Sequence, residues 1–340
     1  MVKLTSAFKL FFFIVVASVL SGCSKHVDTV SLQGSTMGTT YHIKYVPNNK
    51  TPDIDTLHAE VELTLEQVND QMSTYRPDSE LSTYNRLKEG QGIKVSPDLL
   101  TVIKEAKKIN KISDGALDIT VGPLVNLWGF GPRKGQLEAP KTEQVAAARK
   151  RVNINGVVIN GERLEKGSKD LYADLSSIAK GFGVDKVSAI FEKYHVSGYL
   201  VEIGGELRIK GKKADGSGWK VAIEKPTSDE RKVQQVIAPG DMAMATSGDY
   251  RNYFEENGKR YNHIIDPRTG MPVQHRLASV TVLNKECMVA DGYATAMIVL
   301  GVKDSLALAK KQNLAIMLIE KQDNGFKVHY SDAFKKYVKE

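Results

Sequence analysis

At 340 residues, with 41% hydrophobic and 26% charged side chains, the chain has an ordinary globular composition and enough length to bury a real core in one large unit or two. Its formal charge of +7 is spread along the sequence, which excludes a nucleic-acid footprint while leaving room for anionic ligands or lipid headgroups. Two cysteines, Cys23 and Cys287, are too few for a disulfide framework.

The first elements are processing signals. Lys3 and Lys9 precede the apolar run "LFFFIVVASVL", and "LSGC" follows at once. The run is too short to span a bilayer at ~1.5 Å per residue, and its flanks fit a signal peptide. Leu20-Ser21-Gly22-Cys23 resembles the lipobox of bacterial lipoproteins, whose cysteine becomes the acylated first residue of the mature chain. A plain secretory signal with a chance cysteine is the alternative. The expected organisation is a signal peptide over 1–22, a lipidated tether over 23–30 and one two-lobed unit over 31–340. The protein would sit on the periplasmic face of a bacterial membrane, anchored through Cys23, with inner or outer membrane left open. Cys287 is then the remaining thiol, read as a buried structural cysteine.

Strand-like alternation begins in "STMGTTYHIKYV". Residues 53 to 73 carry Leu57, Val61, Leu65, Val68 and Met72 at helical spacing, and a second helix is expected from Pro97 to Ile112 with Ser96 as its cap. Pro123 to Pro140, around Trp128, reads as an irregular surface segment. Asn160-Gly161 signals a hairpin, "DLSSIAKGFGVDKVSAIFEKYHV" a helix, and "GYLVEIGGELRIKG", "WKVAIEKP", "VQQVIAPGDMAMATSG", "KRYNHIIDPRTG" and "LASVTVLN" strands and turns. A mostly apolar helix, "VADGYATAMIVLG", follows. Hairpins mixed with helices, without βαβ alternation, predict an α+β fold with antiparallel sheets and packed helices.

Several polar residues stand where chemistry is possible. Asp291 and Thr295 are four apart in the apolar helix, which places a carboxylate and a hydroxyl on one face. Asp174, Ser177 and Lys180 lie near a helix start, and Gly204 and Gly205 are expected inside a strand, where glycine marks close backbone approach. Each has a structural explanation too: Asp174 and Ser177 as caps, Lys180 as a solvated lysine, Asp291 on its own helix dipole, and Thr295 bonded back one turn. A hard cation such as Mg2+ favours one or two carboxylates with other oxygens, which Asp291 and Thr295 could begin to supply. His263 precedes the turn Asp266-Pro267-Arg268-Thr269-Gly270, and spacing alone leaves it open between a structural and a catalytic role.

Taken in order, "GSTMGTTY", "MSTYRPDSELS", "GALDITVGPLVNLWGFG", "DLSSIAKGFGVD", "VEIGGELR", "ATSGDYRNYF", "YNHIIDPRTG" and "ADGYATAMIVLG" resemble the ApbE family of FAD:protein FMN transferases over most of the mature chain. The resemblance implies a two-lobed, T-fold-like architecture that binds FAD as substrate with Mg2+ at its pyrophosphate. It implies flavin-nucleotide contacts from Met37, Tyr75, Ala116, Leu117, Asp118, Asp174, Lys180, Gly204, Gly205, Ser247 and Ile264, and Mg2+ ligation by Asp291, Thr295 and Ser177. The implied reaction transfers FMN to a threonine or serine hydroxyl of an acceptor flavoprotein and releases AMP, with His263 as candidate base. Implied acceptors are exported subunits of sodium-pumping NADH:quinone reductase and related electron-transfer complexes. The alternatives are an FAD diphosphatase and a non-catalytic flavin-binding lipoprotein.

Overall fold

A computed structural model describes residues 28–131, 138–227, 232–250 and 252–338. The expected signal peptide over 1–22 and Cys23 lie outside the described residues, and the first strand already begins at Val30, inside the span expected to be tether. The framework is an antiparallel sheet of eight strands. Their spatial order is β1 (Val30–Thr36), β2 (Thr39–Tyr45), β6 (Tyr199–Ile203), β7 (Glu206–Lys210), β10 (Ala243–Gly248), β13 (Leu277–Asn284), β14 (Ala315–Gln322) and β15 (Gly325–Tyr330). Shorter ladders join β3 (Gly92–Lys94), β5 (Arg163–Lys166) and β4 (Val157–Asn160), then β8 (Val221–Glu224) with β9 (Val233–Ile237), and β11 (Tyr253–Glu256) with β12 (Lys259–Asn262). The helix-and-antiparallel-sheet class expected from the sequence is the one observed.

Strand periodicity decides what covers each face. Val280 and Val282 of β13, with Ile316 and Leu318 of β14, join the core under the helices, while Leu283, Met317 and Ile319 pack on the other face with Trp219, Ile223 and Phe334. A sheet covered on both sides needs continuous apolar strands, which is why "LASVTVLN" is buried almost throughout. At the other end Tyr41, Ile43 and Tyr45 of β2 pack against Leu57, Val61 and Leu65 of α1 (Ile54–Met72). Among the described residues the remaining helices are α2 (Glu80–Asn85), α3 (Pro97–Ile112, capped by the Ser96 hydroxyl as expected), α4 (Gly122–Leu127), α5 (Thr142–Arg149), α6 (Ala179–Lys193), α7 (Cys287–Gln312) and α8 (Asp332–Lys335).

Three local expectations change. Pro123 opens α4 instead of an irregular segment, because proline suits a first helical turn, and Trp128 behind it is buried with its Nε1 donating to the Gly270 carbonyl at 2.9 Å. Gly204 and Gly205 form the two-residue turn between β6 and β7, with φ of +58° and +105°, and so are not inside a strand. The helix expected from Asp174 begins at Ala179, leaving 174–178 as a polar loop.

The key packing event is the crossing of α6 and α7, whose N-termini cap each other. Neither helix has a side-chain cap of its own. Asp185 of α6 accepts from the Cys287 and Met288 amides of α7 at 3.0 and 2.9 Å, and Asp291 of α7 accepts from the Gly181 amide of α6 at 3.0 Å. Only glycine fits at 181: a Cβ there would collide with the Cys287 carbonyl and lie 2.8 Å from the Asp291 Cβ. By length and hydropathy α7 could cross a membrane, but it serves as the core helix, largely buried against β10, β13 and α6. Gly181→Ala should therefore destabilise the protein by about 1–3 kcal/mol, the usual cost of overpacking. Urea denaturation would measure it, and an unchanged midpoint would show that the crossing tolerates separation.

Candidate functional site

The α6–α7 crossing forms the floor of a cleft of about 760 Å³, which also reaches the β6–β7 turn, the end of β10 and the segment after β12. Fourteen of the expected ligand-site residues line it: Tyr75, Ala116, Leu117, Asp118, Asp174, Ser177, Lys180, Gly204, Gly205, Ser247, His263, Ile264, Asp291 and Thr295. Met37 lines an adjoining cavity of about 960 Å³ that shares Tyr75, Ser176 and Lys180 with the first. Cys23 falls outside the described residues.

Met37 and Gly38 form the two-residue turn between β1 and β2, with φ of +49° and +73°. A methionine in the left-handed region is strained, of order 1 kcal/mol, and such strain concentrates where a side chain must be presented to a ligand. Met37 Cε would lie 3.0 Å from a Cβ at Gly183, so glycine there lets the thioether lie over α6. Tyr75, 69% exposed, stands where the two cavities meet.

Asp174 does not cap a helix, contrary to one structural reading. Its Oδ1 accepts from the Ser176 amide at 2.8 Å and from the Ser176 hydroxyl, turning the loop instead. The loop is pinned by Asn85, whose side chain accepts from the Ala173 amide at 2.7 Å and donates to its carbonyl at 2.8 Å, and by the Asp174 amide donating to the Ile119 carbonyl at 2.7 Å. That last bond ties it to the Ala116–Asp118 loop, where Asp118 Oδ1 accepts from Thr120 N and Oγ1 at 2.8 and 2.6 Å.

At the floor, oxygens converge. Thr295 does not bond back one turn, as a structural threonine would: its Oγ1 donates to the Ser177 carbonyl at 3.5 Å and lies 3.3 Å from Ser247 Oγ. Asp291 belongs to the same face of α7 and caps α6, not its own helix. One carboxylate, two hydroxyls and a carbonyl form an all-oxygen donor set suited to a hard divalent cation that takes further ligands from phosphate.

Lys180 rises beside this set, its Nζ 2.6 Å from Glu206 Oε2. Burial works against the ammonium charge, but Glu206 and Asp291 outweigh it and hold Lys180 above its ordinary range. Burial pushes both carboxyls upward and the Lys180 charge opposes the shift. Lys180 is thus no solvated surface lysine. Glu206 went unremarked in the sequence, although it directly follows the Gly204-Gly205 pair; Asp249 and Asn252, in "ATSGDYRNYF", were missed likewise.

His263 follows the last residue of β12 and packs edge-on against Phe130, with centroids 6.3 Å apart. Its amide and its Nδ1 both approach the Asn252 carbonyl at 3.1 Å. A carbonyl only accepts, so Nδ1 carries the proton and Nε2 keeps its lone pair. Burial lowers the imidazole pKa and Lys180 adds to this, against the Asn252 hydrogen bond and the Asp249 charge, so the ring is neutral near pH 7.

The model of the ApbE family matches residues 37–318. The chain is 50% identical over 320 residues to the FAD:protein FMN transferase of Vibrio cholerae serotype O1, covering 94% of this chain and 96% of that one. It is 49% identical over 330 residues to the FAD:protein FMN transferase of Haemophilus influenzae, covering 95% of each. The solved flavin transferase ApbE from Vibrio cholerae superposes with a TM-score of 0.86 at 49% identity, over 92% of this chain and all of the other.

Whether Lys180 and Glu206 act as a unit is measurable. Glu206→Gln should cost about 1–3 kcal/mol by leaving Lys180 without its buried partner. Adding Lys180→Met should recover part of that loss, giving a coupling of roughly 1 kcal/mol in urea denaturation. Additive effects would dissolve the pair.

Proposed function

The chain belongs to the ApbE family, and we propose that it is an FAD:protein FMN transferase, carrying FMN from FAD to a threonine or serine hydroxyl of an acceptor flavoprotein and releasing AMP. The observation that carries this reading is the placement of the Asp291, Thr295, Ser177 and Ser247 oxygens in the same cleft as a neutral His263 whose Nε2 is available. In the proposed reaction the acceptor oxygen bonds to the FMN phosphorus, the bond from that phosphorus to the oxygen bridging to AMP breaks, and the hydroxyl proton passes to His263 Nε2. Asp291, Thr295 and Ser177 would hold Mg2+, which supplies charge neutralisation on the diphosphate. Lys180 contributes a fixed positive charge beside the same phosphates, and Asp174 with the Ala116–Asp118 loop holds the nucleotide. Tyr75 and Met37 present an aromatic face and a thioether to its rings, and Gly204, Gly205 and Ile264 complete the walls.

Incubation with FAD, Mg2+ and an exported subunit of a sodium-pumping NADH:quinone reductase, followed by mass spectrometry, tests the reading. One FMN-sized adduct on a single threonine or serine is expected. Free FMN and AMP without adduct would instead mark a diphosphatase, and FAD bound without AMP release a binding protein. His263→Gln should lower transfer by about 10²–10⁴-fold while FAD still binds, the usual range for general-base help; near-normal transfer would remove His263 from the mechanism. Asp291→Asn can still accept from the Gly181 amide, so the melting temperature should hold while the Mg2+ requirement rises steeply. Unchanged Mg2+ dependence would end the ligand reading. For location, the proposal is lipid anchoring through Cys23 at the periplasmic face, and Cys23→Ser should move the protein from the membrane to the soluble fraction.

A further inference from the structure

The cleft is lined from both faces of the eight-stranded sheet, and the two sides carry different groups. Side chains alternate along a strand, so Tyr41 and Ile43 of β2 and Val201 and Ile203 of β6, which pack with α1 and α6, mark the helix-covered face. Thr40, His42 and Glu202 therefore stand on the opposite face, where Leu200 and Leu207 pack with Trp219 and Ile223, and all three line the cleft. The residues assigned to metal and phosphate, Ser177, Lys180, Asp291 and Thr295, belong instead to α6, the loop before it and α7. The outer arm of the cleft is thus left without a role in holding FAD.

This arm is built. His42 and Glu202 face each other across β2 and β6, and Glu202 Oε2 accepts from His42 Nδ1 at 2.9 Å, which leaves Nε2 of an exposed ring for a second partner. Glu202 Oε1 accepts from the Gly205 amide at 2.6 Å, and the Gly204 amide donates to the Thr40 carbonyl at 3.0 Å. The Gly204-Gly205 turn is so pinned as a low sill, without side chains, between the two arms.

β8 runs along the outer arm, with Ala222 and Ile223 in its lining. Among the described residues its one ladder partner is β9. The Lys225 amide donates to the Lys232 carbonyl at 2.7 Å, so by the two-residue alternation of an antiparallel pair Ile223 and Val221 also turn their backbone groups to β9. Ala222, which is exposed, turns its N–H and C=O away from β9. A strand edge that opens into a cleft is a place where an extended polypeptide adds through its own backbone.

We propose that the outer arm docks the acceptor protein: an extended segment pairs with β8 at Ala222, meets His42 Nε2, and passes its threonine or serine over the Gly204-Gly205 sill to the FAD phosphates. This rests on the transferase reading, which requires a polypeptide to share the cleft with FAD. Main-chain pairing fixes register, and the distance of each hydroxyl from Ala222 along the segment then selects the one that reacts.

Ala222→Pro tests the docking at little cost to the fold, because the N–H it removes points away from β9 and proline is tolerated on an edge so placed. The assay uses the full chain, FAD, Mg2+ and a purified exported subunit of a sodium-pumping NADH:quinone reductase. Ala222→Pro and His42→Ala should each raise the KM for the acceptor by about tenfold, with the KM for FAD within about twofold of wild type. Ala222→p-benzoylphenylalanine should photo-cross-link to the acceptor within about five residues of the modified hydroxyl, given ~3.3 Å per residue in a paired strand. A rise in the KM for FAD in place of the acceptor's would give the arm to the nucleotide and overturn the docking. So would an unchanged acceptor KM in both folded variants, or cross-links remote from the modified residue. If Ala222→Pro does not fold, His42→Ala and the cross-link decide. Wild-type protein that releases AMP from FAD and leaves the acceptor unmodified would overturn the transferase reading itself, and with it this inference.

Discussion

The reciprocal capping of α6 and α7 is the interaction on which the site depends. Two helix N-termini, each with orphan amides, are brought together so closely that each borrows a carboxylate from the other, Asp185 in one direction and Asp291 in the other. The approach is possible only because Gly181 has no side chain. Its consequence is chemical: the same crossing that satisfies the Gly181 amide sets Asp291 on the cleft floor and brings Thr295 to the Ser177 carbonyl. Arg208, 2.9 Å from Asp185, continues the network into the sheet, so the crossing is held to β7 as well.

Charge around the cleft is arranged so that no member stands alone. Lys180 is shared between Glu206 and Asp291 and is felt by His263. In a partly buried site these influences act at an effective dielectric well below that of water, so one lysine governs several titrations. It keeps two buried carboxylates from repelling each other and helps keep His263 neutral, and both conditions suit the proposed reaction, in which an anionic diphosphate is received and a proton accepted.

The sequence disclosed periodic elements well and cross-chain relations poorly. The spacing of Leu57, Val61, Leu65, Val68 and Met72 read directly as α1, and Ser96-Pro97 as the start of α3, because those signals are local. Gly204-Gly205 misled, since glycine between two strand-like runs fits either a strand interior or a tight turn, and only the pairing of Ile203 with Glu206 decides for the turn. The residues of the cleft were legible largely through family resemblance, whereas spacing alone gave Asp291 and Thr295 a shared face and no partner. That Asp291 caps a helix more than a hundred residues earlier in the chain is a property of the crossing, and nothing in "VADGYATAMIVLG" encodes it. Glu206 and Asp249 were passed over for the same reason: a single acid beside glycine carries no periodicity, and its meaning lies in Lys180 or Lys321 on another element.

The composition of the cleft floor also bears on the order of binding in the proposed reaction. Asp291 is the one carboxylate among the converging oxygens, and part of its acceptor capacity is already used by the Gly181 amide. Two hydroxyls and a carbonyl add dipoles and no formal charge. Such a set would hold a divalent cation weakly unless another anion completed the shell, and in the proposed reaction the diphosphate of FAD would be that anion. By linkage, whatever the metal adds to FAD affinity, FAD adds equally to metal affinity. In the proposed reaction, loss of the diphosphate on transfer would weaken both, so that AMP would depart from a site that no longer grips it, and the positive charge of Lys180, held in place by Glu206, would remain to receive the next nucleotide.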